Sequence, residues 1–242
     1  MMTQARSTAG GRFPFYLVEN FYLRHSTQLA RINQFMSQGF LPSAAKLTSA
    51  PKIFLEAQVA AHTPQFMTVM GLSSLDELAS LRDRLRGDKT YQKAFAEWEN
   101  GPEPPYEHYS QTLLKTADYC PAVESPQQQG KGRFYELRIY HSPTWMQLAA
   151  LHERFAGPEI KIFHRSGIHP ILYTETALGT NMPNLTYLIP WDSLAAREKA
   201  WDAFQADPEW VKVRKESIDR HGQIASVNQV SLFRATSYSP VG

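Results

Sequence analysis

Only one cysteine, Cys120, occurs in the 242 residues, so no disulfide can close within the chain. Without a CxxC neighbour it offers neither a redox pair nor a zinc corner, and a reducing compartment is the simplest setting. Excess charge is also lacking: 25 Lys and Arg face 23 Asp and Glu, and no basic run reaches the length of a phosphate-binding patch. Nucleic acid is therefore not an expected partner. No window approaches the ~18 apolar residues of a membrane helix, and "MMTQARSTAGGRFPFYLV" lacks the apolar centre of a signal peptide. These two absences point to a protein with no membrane span, in the cytoplasm, or outside it if a leader has been removed. Missing too are the nucleophile elbow GxSxG, the phosphate loop GxxxxGK[ST], the dinucleotide fingerprint GxGxxG and the zinc motif HExxH. Hydrolase, NTPase and dehydrogenase readings lose their usual support, and no cofactor and no metal are expected.

What is abundant is aromatic and internally repeated. Thirteen Phe, 11 Tyr and five Trp supply enough apolar surface to hold a domain together without staples. Subtracting 119 from positions in the second half lands on similar residues in the first: Ser193-Leu194 on Ser74-Leu75, Asp207 on Asp88, Trp210 on Tyr91, Glu175 on Glu56. Near the start the similarity slips by one, so that Tyr140 matches Tyr22 and Arg138 matches Asn20. Two copies of one unit follow, residues 13–118 and 133–238, joined by a linker over 119–132 that is rich in Pro, Gln, Gly and Ser.

The second copy reads clearly. "RFYELRIYH" alternates as a strand, and Thr144 to Ser166 has helical spacing interrupted at Gly157-Pro158. "HPILYTETALG" and "NLTYLIPW" form a hairpin, Asp192 or Ser193 caps a second helix, Asp207-Pro208 restarts it, and "VNQVSLFRA" ends the unit as a strand. Strand, helix, strand, strand, helix, strand is the ferredoxin-like order, with helices on one face of a four-stranded antiparallel sheet. The bare face of each sheet needs a cover, which the second copy provides. The expected fold is α+β: two ferredoxin-like (βαββαβ) repeats packed as a single-chain α-β barrel pseudo-dimer.

In "FYELRIYH", the hairpin through "WDAFQADPEWVKV" and the closing "NQVSLFRATSYSP", the second copy resembles the NIPSNAP family of the dimeric α-β barrel superfamily. The first copy resembles it more faintly, since "MTVMGLSSLDELASLRDRLRGDKTYQKAF" keeps the pattern without the tryptophans. Together they look like the tandem NIPSNAP proteins of bacteria. The resemblance implies the barrel fold and supplies no catalytic residues, because the family has no agreed activity.

Candidate site residues come from alternation and pairing. If Leu137 and Ile139 face the helices, Arg138 and Tyr140 point into the barrel. Tyr173 and Glu175 share one face of the next strand, and Tyr22 is taken as the counterpart of Tyr140. Glu56 and Glu175, equivalent in the two copies, would then face each other as an acid–base pair; the plainer alternative pairs each with an arginine such as Arg138. Trp191 ends the hairpin on the face of Tyr187 and forms the rim of the pocket. His141, His164 and His169 match no metal-ligand spacing. Three functions are compatible with this set: a small-molecule binder with its pocket between the repeats, a cofactor-independent monooxygenase or isomerase, or a non-enzymatic homo-oligomeric scaffold.

Overall fold

In the computed structural model, which describes residues 12–123 and 133–241, the chain folds as the expected pair of βαββαβ units. Residues 124–132 of the expected linker lie outside the described residues. The first unit comprises β1 (Phe15–Tyr22), α1 (Gln28–Phe35), α2 (Leu41–Leu47), β2 (Lys52–Val59), β3 (Gln65–Leu72), α3 (Leu75–Gly87), α4 (Lys89–Glu99) and β4 (His108–Thr116). The second comprises β5 (Phe134–His141), α5 (Trp145–Arg154), α6 (Ile160–Arg165), β6 (Leu172–Leu178), β7 (Asn184–Trp191), α7 (Leu194–Ala206), α8 (Pro208–His221) and β8 (Val227–Ala235).

Equivalent helices break at equivalent places for local reasons. A π-helical turn, Met36–Phe40 or Phe155–Glu159, separates the two parts of the first helix in each unit. In the second unit Pro158 removes an N–H from the ladder and Gly157 takes a non-helical conformation beside it. In the first unit Gly39 lies in the turn, and a Cβ there would fall 2.4 Å from that of Ala94, so the missing side chain lets α4 pack directly on the turn. Ser74 and Ser193 cap α3 and α7; Asp88 and Asp207 accept the first free N–H groups of α4 and α8. Each such cap contributes about 1 kcal/mol.

The strands form one closed antiparallel barrel in the order β1-β3-β2-β8-β5-β7-β6-β4. Each unit contributes its own four strands, and the units join edge to edge through β2–β8 and β4–β6. Closure leaves no sheet edge unpaired. Tyr16, Leu55, Met67, Leu114, Tyr135 and Phe233 fill the barrel interior and are essentially inaccessible. Polar side chains share that interior in bonded groups: Gln65 donates to Asn20 at 2.7 Å, and Thr176 and Thr186 donate to Asn184. Helices cover the outside.

Candidate ligand-binding site

Which side of each strand faces the helices is fixed by the contacts of Glu136. Its carboxylate, 0% exposed, accepts from Arg197 (2.9 and 3.0 Å) and from the indole N–H of Trp201 (3.0 Å), both on α7. Glu136, Arg138 and Tyr140 therefore point out of the barrel toward the helices, while Leu137 and Ile139 point in. This reverses the phase expected from the sequence. Period-two alternation holds, but both sides of the sheet are apolar here, so pattern alone did not say which side was inside.

The consequence is that the expected site residues do not meet inside the barrel. Arg138, Tyr140, Tyr173 and Trp191 do come together, but under the helices of the second unit. Arg138 donates to Glu136 at 2.6 Å and lies 4.2 Å from the Trp201 ring; Tyr140 and Tyr173 pack on Phe155 and Tyr187. Trp191 is a buried donor to Glu136 at 3.0 Å, not a pocket rim. Glu175 pairs with Lys115 (3.3 Å) and His152 (3.6 Å), and Glu56 accepts from Asn33 at 2.7 Å. These two glutamates do not face each other and neither pairs with Arg138. Tyr22 alone of the set points into the barrel, where its hydroxyl is 3.4 Å from that of Ser110 and its ring stacks on His108. His164 stacks on His169, whereas His141 bonds the Asn181 carbonyl. Among the described residues no three His, Cys, Asp or Glu side chains cluster as metal ligands would.

The one-residue slip near the start is also corrected. Equivalent elements keep the 119-residue offset throughout, Phe15 with Phe134, Met36 with Phe155, Leu75 with Leu194. Tyr140 therefore corresponds to Phe21, and Arg138 to Glu19 rather than to Asn20. A slip of one exchanges the two faces of a strand.

With the true register, the equivalent place in the first unit is open. A cavity of about 570 Å³ lies between the outer face of its sheet and its helices. Leu17, Glu19, Phe21, Met70, Tyr109 and Gln111 form the floor; Phe35, Met36 and Phe40 close one side; α3 and α4 form the roof. Position by position the exchange is direct: Leu17 stands for Glu136, Glu19 for Arg138, Leu78 for Arg197 and Arg82 for Trp201. In the second unit Trp201 and the Glu136 ion cluster fill the space. Arg82 instead extends to solvent at the cavity mouth, as arginine does when its head can be hydrated.

The walls are aromatic. Trp98 stacks on Phe35 at 4.7 Å and meets the edge of Phe21 at 5.9 Å, and Tyr91 stacks on Phe95 at 5.6 Å. The Trp98 indole N–H is buried with no hydrogen-bond partner among the described residues. Glu19 is the polar centre of the floor: Tyr109 and Gln111 donate to Oε1, the latter at 2.8 Å, and Thr68 donates to Oε2 at 3.2 Å. Burial, and then the Glu19 carboxylate, push the Tyr109 phenol well above its ordinary range; burial also raises that of Tyr91. Both remain protonated donors near neutral pH. At Glu136 burial alone would raise the carboxyl, but hydrogen bonds from Arg197 and the charge of Arg138 outweigh it and hold the group below its ordinary value. One unit thus has a filled ionic core and the other an apolar cavity with a carboxylate in its floor.

The NIPSNAP family model matches residues 135–240. Among solved structures, an anthrone oxidase-like protein is 12% identical, with 95% of this chain and 94% of that one covered and a TM-score of 0.57. A protein of Fusobacterium nucleatum named as a candidate monooxygenase is 8% identical, with 92% of each chain covered and a TM-score of 0.60. A NIPSNAP-like domain protein of Burkholderia xenovorans is 21% identical, covering 46% of this chain and 91% of its own, at a TM-score of 0.40. A comparison with curated proteins returns no match. At such identities the first two likenesses show the fold. Among the described residues no helix is long and apolar enough to cross a membrane. The second half of the chain, over residues 135–240, thus carries the NIPSNAP pattern, and the whole chain is built as an eight-stranded α-β barrel of two βαββαβ units within one polypeptide.

Proposed function

We propose that the first unit binds a small, largely aromatic organic molecule between its sheet and its helices. The observation that carries this reading is the cavity of about 570 Å³ at the place where the second unit is filled by Trp201. The volume falls within the usual range for ligand sites, and an aromatic lining with few polar groups is their usual character. The site lies within one repeat rather than between the two. Arg82→Trp copies the plug of the second unit into the first and provides the test. Wild-type protein should bind a naphthalene-sized compound and melt at higher temperature in its presence, and Arg82→Trp should lose that binding while staying folded by circular dichroism. Absence of binding to wild type, or unchanged binding to Arg82→Trp, contradicts the reading.

A second reading is favoured by the Glu19–Tyr109 bond, which places an acid–base pair against the ligand space. Structural neighbours named as oxidase-like and monooxygenase proteins make cofactor-independent oxygenation the reaction to try first. Dioxygen uptake with anthrone, lost in Glu19→Gln, supports it; no uptake leaves a binding protein. A scaffold would show neither binding nor turnover.

A further inference from the structure

The floor of the cavity has a polarity that narrows its ligand. An ionised carboxylate only accepts hydrogen bonds and offers about four lone-pair sites. Glu19 uses three, for Tyr109, Gln111 and Thr68, which leaves an acceptor site on Oε2. Tyr109 spends its one donor on Glu19 and Gln111 one of its two, so the carboxylate of Glu19 is the strongest acceptor that the floor offers to a ligand. A ligand that brings only acceptors, such as a ring carboxylate or ether, leaves the open Oε2 site of Glu19 without a donor, whatever it gains from the unpartnered Trp98 indole N–H.

A donor can be neutral or cationic, and the charges decide between these. The lining carries Glu19 and Glu99 against Arg82 and Arg86, so it has no net charge with which to repay the dehydration of a cation. Arg86 is partly committed to Asp83 at 3.1 Å but still bears on Tyr91 in the roof, and Arg82 bears on both Tyr91 and Tyr109. A neutral hydroxyl escapes that dehydration cost. The flat, aromatic walls suit a fused-ring body.

We infer that the cavity selects a neutral hydroxyaryl molecule of two or three rings, whose hydroxyl donates to Glu19; this rests on the cavity reading given above. 2-Naphthol, 2-methoxynaphthalene and 2-naphthylmethylammonium share a ring and differ in the group presented to the floor. Calorimetric titration of wild type should show 2-naphthol binding about tenfold or more tighter than the methyl ether, the effect of one hydrogen bond to a charged acceptor. The ammonium compound should bind more weakly than the naphthol. In Glu19→Gln, which keeps the shape of the side chain, the preference for naphthol over ether should shrink toward one. The wild-type comparison needs no variant, so a Glu19→Gln protein that fails to fold leaves the inference open to refutation. Equal binding of naphthol and ether, or preference for the ammonium compound, overturns the inference; if Arg82→Trp still abolishes that binding, the cavity reading stands. If none of the three binds wild type, or if Arg82→Trp binds them unchanged, the cavity reading itself has failed.

Discussion

The two halves of this chain carry the same frame and opposite interiors. Their elements are offset by a constant 119 residues and their second helices are capped by the same residue types, yet one helix–sheet space is filled and the other is open. In the second half Glu136 gathers Arg138, Arg197, Trp191 and Trp201 into a buried cluster that closes the space. In the first half leucines replace Glu136 and Arg197, an arginine replaces Trp201, and a glutamate replaces Arg138. A duplicated unit is thus kept as structure in one copy while its equivalent space is freed in the other. The barrel holds both in place because each unit closes the other's sheet.

Removing the hub should have the largest effect. Glu136→Gln leaves two arginines without their buried counter-charge and should cost about 3–5 kcal/mol of stability, whereas Glu19→Gln, on a partly open floor, should cost about 1 kcal/mol or less. Urea unfolding of the two variants compares them directly, and similar losses would mean that the halves are not so different. Next comes Gly39→Val, which forces atoms into the 2.4 Å approach to Ala94 and should cost about 1–3 kcal/mol, read as a lower melting temperature. Arg82→Trp should move stability the other way, by about 1 kcal/mol, because the ring buries apolar surface in existing space. A clear loss would show that the space is not available to a side chain.

The smallest effect lies where the halves agree. Asp88 and Asp207 are each held at about 2, below the ordinary 3.8. Asp88 is held first by the Tyr91 N–H and then by Ser43 and Lys46; Asp207 is held first by Arg165. Their folded values lie below the unfolded one, so the unfolded chain binds more protons between about pH 4 and pH 2. The stability they give is present above that window and is lost as pH falls through it. Asp88→Asn and Asp207→Asn should each flatten the acid limb of a stability–pH curve, and an unchanged limb in both would refute the assignment.

Much of the frame was legible in the sequence because local chemistry dictates it. Ser193 and Asp207 could be read as caps, Gly157-Pro158 as a helix break, and the alternation in "RFYELRIYH" as a strand. The site was not legible, for two physical reasons. A barrel strand has apolar neighbours on both sides, inside toward Leu55 and Phe233 and outside toward Phe155 and Trp201, so alternation gives a period without a phase. Aligning Tyr140 with Tyr22 by likeness also moved the first strand by one residue, which hid Glu19 behind Asn20. Holding the 119-residue offset would have set Glu19 against Arg138 and Arg82 against Trp201. Those two exchanges were the available signal for a changed interior.

The most direct test uses the tryptophans. Of the five in the chain, Trp98 lines the cavity of the first half, while Trp191 and Trp201 are bonded to Glu136 in the second. In an 15N-edited spectrum titrated with 2-naphthol, the Trp98 indole N–H signal should shift saturably while those of Trp191 and Trp201 stay in place. Movement of the Trp191 and Trp201 signals instead, or no movement of Trp98 at saturating ligand, would contradict the account of one open and one closed half.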